Sequence, residues 1–347
     1  MISLCIDARI TDAVGIGRFI RELVPLLNRP PFQILLLVNR EGEEWCKNIE
    51  QRVFSAPIYS VKEQLLFPLK IPRCDLFWSP HYNVPLLPIR AKKRIVTIHD
   101  VCHIVYGQFF PWFKRSAAHF VMKNAFLRSD CVATISEFSR SEMVRCFGRA
   151  RHVNVIPLAV DHFLTKIRND VRHKYGLPSR FLLFVSNLLP HKNCAVLVEA
   201  FRKLKIPDLG LVIVGKGEKK EGDPLIFWLG KISDADLSSL YKEAELFVFP
   251  SLYEGFGLPP LEAMLCGCPT LVSSAGSIPE ICGDASLYFN PLDVEELANG
   301  ITRVIGNQDL KSELVSKGRE RAKKFSWAET ARSYLELFEK LSKRDSH

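Results

Sequence analysis

Short apolar runs rich in β-branched and aromatic residues alternate with amphipathic stretches from one end of the chain to the other, and few folds accommodate that alternation. The runs ISLCID (2–7), QILLLV (33–38), DLFWSP (75–80), RIVTIHD (94–100), CVATIS (131–136) and HVNVIP (152–157) are mostly continuous rather than alternating in polarity. That is the mark of strands covered on both faces, as in a parallel sheet with crossover helices. The pattern restarts at FLLFVS (181–186) and runs through LGLVIVG (209–215), LIFWLG (225–230), LFVFPS (246–251), PTLVSS (269–274) and SLYFNP (286–291). Helices are expected over 193–205 and near 234–244. The 347 residues divide naturally into two doubly wound α/β units of about 170 residues each. The polar segment VDHFLTKIRNDVRHKYGLPSR (160–180) places the boundary between residues 1–165 and 166–325. The closing stretch FSWAETARSYLELFEKL (325–341) predicts an amphipathic helix with its apolar stripe at Trp327, Tyr334, Leu337, Phe338 and Leu341.

Composition removes several function classes. Charged residues make up 24% and hydrophobic ones 47%, an ordinary globular balance. No apolar run approaches the ~20 residues that span a bilayer, and the N-terminus reaches Asp7 and Arg9 before a secretory signal could form. The ten cysteines are scattered, with Cys266 and Cys268 the one close pair. One intervening residue suits neither a zinc site nor a redox pair, so a reduced, cytoplasmic setting is expected. Residues 1–165 hold 22 Lys and Arg against 14 Asp and Glu, which accounts for +8 of the net +9. No nucleic-acid module accompanies this charge, and an anionic membrane surface or acidic acceptor fits it better than DNA or RNA. FFPWFKRSAAHFVMKNAFLRS (109–129) sets Phe109, Phe110, Trp112 and Phe113 beside Lys114 and Arg115, with Lys123 and Arg128 following. It is a candidate for peripheral contact with the inner face of a membrane.

The segment most loaded with chemistry is PSLYEGFGLPPLEAMLCGCP (250–269). A buried strand delivers Glu254 to its carboxyl end, Gly255 and Gly257 let backbone approach a ligand, and Pro259 and Pro260 suit the first turn of a helix that carries Glu262 in or near that turn. In the first half, DAVGIGRFIREL (12–23) brings Gly15 and Gly17 after the first strand. As a dinucleotide fingerprint it fails: Ile20 occupies the third glycine position, and the second strand runs out as LLVNR with no acidic residue.

SLYEGFGLPPLEAMLCGCPTLVSSAGSIPEICGD resembles the donor-site signature of the retaining glycosyltransferases of family 4. That resemblance implies the GT-B fold, two facing Rossmann-like domains with a cleft between them and a last helix crossing back to the first domain. It implies that Glu254 lies against the donor sugar, that Glu262 hydrogen-bonds the ribose hydroxyls, and that Gly255, Phe256, Gly257 and Leu258 offer backbone N–H groups to sugar and diphosphate. FLLFVSNLLPHKN (181–193) is similar to the family's diphosphate loop, with Lys192 as the cation and Asn187 where the family frequently has an arginine. FWLGKISDADLSSLYKEAELFVFPS is similar to its base-binding loop, with Gly230, Lys231 and Ile232 near the nucleobase. Gly15 and Gly17 correspond to the glycine loop over the diphosphate, and His99 of TIHD, followed by Asp100, to a histidine near the sugar hydroxyls.

The implied activity is transfer of a hexose, with mannose the nearest resemblance, from a nucleoside diphosphate sugar to an acceptor hydroxyl in surface polysaccharide or glycolipid synthesis. No cofactor beyond that co-substrate and no metal is expected; Lys192, backbone amides and a helix N-terminus would face the diphosphate. Two other readings are a catalytically silent scaffold that binds a partner protein and a nicotinamide-dependent oxidoreductase. Nucleotide-sugar hydrolysis separates the first, and a cofactor titration the second.

Overall fold

A computed structural model describes residues 1–11, 14–107, 112–148, 152–161, 169–216 and 222–343, without the side chains of Val14 and Lys114. Phe109 and Phe110 of the aromatic-basic segment, Asp12 and Ala13 of the glycine loop and residues 162–168 of the polar boundary segment lie outside this description. The chain forms two compact units, Met1–Leu158 with Trp327–His347 and Ala159–Ser326.

In unit 1 the strands are β1 (Ile2–Asp7), β2 (Phe32–Val38), β3 (Glu50–Val53), β4 (Cys74–Ser79), β5 (Ala91–Thr97), β6 (Cys131–Thr134) and β7 (Val153–Val155). They form one sheet in the order β3-β2-β1-β4-β5-β6-β7, with every pairing parallel. Helices α1 (Val14–Leu27), α2 (Val61–Lys70), α3 (Cys102–Val105), α4 (Trp112–Arg128) and α5 (Glu137–Phe147) lie between strands.

Unit 2 contains β8 (Arg180–Val185), β9 (Leu209–Val214), β10 (Ile226–Gly230), β11 (Leu246–Phe249), β12 (Thr270–Ser273) and β13 (Leu287–Phe289), in the parallel order β10-β9-β8-β11-β12-β13. Its helices are α6 (Val171–Tyr175), α7 (Cys194–Lys203), α8 (Asp234–Glu243), α9 (Leu258–Leu265), α10 (Ile278–Cys282), α11 (Val294–Ile305) and α12 (Gln308–Ala322). The residues of β9 and β11 are buried throughout, which explains their unbroken apolar sequences.

The last helix, α13 (Trp327–Lys343), returns to unit 1 and packs along α1. Its stripe of Trp327, Tyr334, Leu337, Phe338 and Leu341 is buried. The Tyr334 ring meets Phe19 and Trp78, and both the Tyr334 hydroxyl (2.9 Å) and Trp78 Nε1 (3.0 Å) hydrogen-bond Thr97 Oγ1. Each fully buried large apolar side chain of this kind contributes about 1.5–3 kcal/mol, and the polar tips carry no desolvation penalty because they are paired.

Two details depart from the sequence reading. Strand β3 is absent from it because EQRV at the sheet edge is largely exposed and has no apolar face. Strand β5 begins at Ala91 and ends at Thr97, so His99 and Asp100 sit in the following loop. Helix α9 starts at Leu258, with both prolines inside its first turn. A proline there needs no N–H partner and has the right φ. Glu262, the fifth helical residue, stands just past that turn, near it as expected.

Candidate functional site

In a doubly wound sheet, ligands bind beyond the carboxyl ends of the strands where strand order reverses. In unit 2 that point lies between β8 and β11. The loop after β8 carries Asn187 and a single 3-10 turn, Pro190–Lys192; the loop after β11 carries Glu254. These loops converge: Lys192 Nζ donates to Glu254 Oε1 at 2.7 Å, with the two side chains only 16% and 12% exposed. The main chain supports the pair, because Leu252 N–H donates to the His191 carbonyl at 2.8 Å. Asn193, held at φ +57°, donates through Nδ2 to the carbonyls of Pro250 (3.1 Å) and Pro291 (2.7 Å).

Residues 254–257 then bend into α9. Gly257 has φ +107°, a conformation only glycine adopts cheaply, and caps the helix N-terminus. Gly255 and Phe256 are buried, and Leu258 is the first helical residue. Glu262 is buried and accepts a hydrogen bond from the Tyr241 hydroxyl at 3.2 Å. Burial, then the Glu262 charge, push the Tyr241 phenol well above its ordinary value, so it stays a neutral donor. On the far side, Gly230 ends β10 at φ +66° with open space where a Cβ would be; Lys231 is exposed and Ile232 half-buried. Asn187 is exposed in its loop.

Unit 1 holds the other sequence-predicted residues. Gly15 is exposed, and an added Cβ would meet nothing within 4 Å. Gly17 has a different reason: its Cβ would stand 2.0 Å from the Thr11 carbonyl oxygen, so packing of α1 against its own preceding loop already demands glycine. His99 is half-buried, with Phe19 edge-on at 5.0 Å, and its Nε2 lies 3.0 Å from the Pro80 carbonyl. A carbonyl only accepts, so Nε2 carries the proton. Burial lowers the imidazole pKa and keeps the ring neutral, which leaves Nδ1 as an acceptor for a hydroxyl.

Several positioning residues escaped the sequence reading. Ser277 clamps the glutamate loop: its Oγ donates to the carbonyls of Glu254 (2.9 Å) and Phe256 (2.8 Å), and its N–H to Glu254 O (3.2 Å). Gly276, at φ +65°, lets that loop approach, since a Cβ would meet Glu254 N at 2.9 Å. Gly215 ties three strand ends together: its N–H donates to Gly230 O at 2.9 Å, and a Cβ would fall 1.5 Å from Ser186 O. The small residues of SSAGS, and the glycine that ends LGLVIVG, were the available signals.

Both units of the chain resemble known proteins. The model of "Glycosyl transferases group 1" matches residues 167–321, and that of "Glycosyltransferase Family 4" matches residues 14–162. The chain is 30% identical over 261 residues to O-antigen chain mannosyltransferase B of Escherichia coli, covering 70% of this chain and 68% of that one. The chain belongs to glycosyltransferase family 4. Serotype-specific mannosyltransferase WbdA of Escherichia coli is 31% identical over 287 residues, spanning 76% of this family member but only 34% of that longer protein. HepE of Anabaena, solved in complex with UDP-glucose, superposes with a TM-score of 0.78 over 98% of this chain and all of that one at 19% identity. Sucrose-phosphate synthase of Thermosynechococcus elongatus superposes with a TM-score of 0.77 over 98% and 99% at 20% identity. These likenesses establish the GT-B fold.

Proposed function

We propose that this family 4 member is a retaining hexosyltransferase that takes its sugar from a nucleoside diphosphate donor. The observation that carries the reading is the Lys192–Glu254 pair at the reversal point of unit 2, beside the turn that enters α9. In the pair the ammonium and carboxylate satisfy each other. With donor bound, the diphosphate takes Lys192, the sugar hydroxyls take Glu254, and the N–H groups from Gly255 to Leu258 face the anion. Glu262 accepts from the ribose hydroxyls, while Gly230, Lys231 and Ile232 border the nucleobase, with Asn187 a polar neighbour of the diphosphate. Within unit 1, Gly15, Gly17 and His99 are the candidate donor residues, with His99 Nδ1 an acceptor for a sugar hydroxyl.

In the reaction the bond from the anomeric carbon to the diphosphate oxygen breaks, and a bond to the acceptor oxygen forms on the same face. The acceptor proton passes to the departing phosphate oxygen. The protein orients the partners and stabilises the leaving charge. The named mannosyltransferase relatives support mannose as the hexose and a polysaccharide or glycolipid as the product. A thermal-shift screen of nucleotide sugars, followed by hydrolysis and transfer assays on those that bind, tests the reading. Binding without turnover of any bound donor would favour the silent scaffold.

We also propose that unit 1 meets the acceptor at an anionic membrane. Among the described residues no helix is long and apolar enough to cross one. On α4, Trp112 is 79% exposed, Phe113 and Phe120 are exposed, and Lys123 and Arg128 lie exposed on the same helix. On α2, Val61, Leu65 and Leu69 form a further exposed apolar ridge. Each basic residue near such a surface contributes about 1 kcal/mol. Pelleting with anionic vesicles that fades with salt is expected, and equal pelleting with neutral vesicles would overturn this part.

A further inference from the structure

The reversal point of unit 1 lies between β1 and β4, and the loops there assemble an aromatic cluster that the donor-site reading does not use. Tyr59, in the loop between β3 and α2, stacks against Tyr82 with ring centroids 5.9 Å apart and planes at 30°. His81 lies 4.0 Å from Tyr82 and 6.0 Å from Tyr59 between centroids. Tyr59 is 56% exposed, unusual for an aromatic with such neighbours, and holds φ +66°, a conformation that a bulky side chain rarely adopts. Such a residue persists only when its surroundings over-determine it.

Those surroundings are fully buried charges. Glu63 accepts the Tyr59 N–H at 2.7 Å, Arg9 Nη2 at 2.7 Å and Asn83 Nδ2 at 2.8 Å. Arg9 is bound in turn by Asp7 through Nε (2.7 Å) and Nη2 (2.9 Å), and its guanidinium lies 3.9 Å from the Phe67 ring centroid. A network of ionised groups with essentially no solvent contact thus holds one exposed tyrosine in a strained conformation. Beside it, His81 Nδ1 accepts from Asn83 N–H at 3.3 Å, which puts the imidazole proton on Nε2, 3.2 Å from the Tyr59 hydroxyl.

We infer that Tyr59, with Tyr82 and His81 behind it, is the platform on which a hexose ring of the acceptor saccharide stacks. A pyranose offers an apolar C–H face and a rim of hydroxyls; an exposed phenol ring whose hydroxyl already sits in a hydrogen-bonded chain matches both. A strand-end crevice is where such a ligand binds, and the Tyr59, His81 and Tyr82 cluster contains none of the residues assigned above to the donor. The inference rests on the glycosyltransferase reading. Tyr59 acts here as a positioning and specificity residue.

Tyr59→Gly provides the test, because glycine is at ease at φ +66° and relief of strain offsets the lost ring contacts. The variant should unfold within a few degrees of wild type. It should bind the nucleoside diphosphate and hydrolyse the sugar donor within about twofold of wild type. With short α-mannosides as acceptors its KM should rise at least tenfold, while Tyr59→Phe retains most of the acceptor affinity. An unchanged acceptor KM in Tyr59→Gly would overturn the inference; so would a parallel loss of stability, nucleotide affinity and transfer, which is what a merely structural tyrosine gives. If wild type turns over no donor, the glycosyltransferase reading fails by itself, and saturation-transfer NMR with mannotriose still decides the platform: signal in wild type that disappears in Tyr59→Gly supports it, and equal or absent signal in both overturns it.

Discussion

The two units share a topology, a doubly wound parallel sheet with its reversal beside the first strand, but they treat charge at that place in opposite ways. In unit 1, Asp7, Arg9 and Glu63 are 3%, 1% and 0% exposed and bind only one another and neighbouring loop groups. Desolvation alone would lower the arginine pKa, yet Asp7 and Glu63 together raise it. In unit 2, Lys192 and Glu254 keep some solvent contact and pair one to one. A network buried away from solvent can only fix loops. A half-open pair can exchange its partners for a ligand, and this is the difference between a framework charge and a working one.

Breaking the framework should produce the largest effect. Arg9→Ala leaves two carboxylates buried and unpaired, so unfolding in urea should show a loss of about 3–5 kcal/mol; a loss under ~1 kcal/mol would erase the distinction between the units. In unit 2 the losses should fall on ligand instead. Glu262→Ala should weaken nucleoside diphosphate binding about ten- to a hundredfold, the value of a charge-assisted hydrogen bond of ~1.5–3 kcal/mol. Equal calorimetric affinity in variant and wild type would remove Glu262 from the ribose.

A smaller effect belongs to acid. Burial, helped by His99 and His103, pushes the His81 imidazole down to about 3. Its folded pKa is depressed, so the stability it contributes is complete above the unfolded value of about 6.5 and is lost as pH falls from there toward 3. The slope is about 1.4 kcal/mol per pH unit for one such group, so unit 1 should lose roughly 2 kcal/mol by pH 5. His81→Gln should flatten that slope, with the half-buried His99 accounting for what remains; an unchanged slope would show that His81 is accessible to protons in the folded state.

Most of this architecture was legible in the sequence because parallel strands buried on both faces must be continuously apolar, and FLLFVS, LGLVIVG and LFVFPS are. The edge strand at Glu50–Val53 obeys no such rule and left no trace. Glu254, Gly257 and Glu262 stand out because they share one short segment with a helix start. The framework network stayed hidden for the opposite reason. Ser60 caps α2 by accepting the Glu63 N–H, while the Glu63 carboxylate goes to Tyr59, Arg9 and Asn83, partners 4 to 54 residues away in the chain. Likewise Lys192 and Glu254, 62 residues apart, are brought together only by the order of β8 and β11.

The central claim is that Lys192 trades Glu254 for the diphosphate, and calorimetric titration of the bare nucleoside diphosphate into wild type, Lys192→Ala and Glu254→Ala tests it most directly. The account predicts that Lys192→Ala weakens binding about ten- to a hundredfold, the same scale as other charge-assisted contacts. Glu254→Ala should bind the bare diphosphate as tightly as wild type or more tightly, because the lysine no longer has a competitor, while losing sugar transfer. Equal weakening in both variants, or full affinity in Lys192→Ala, would contradict it.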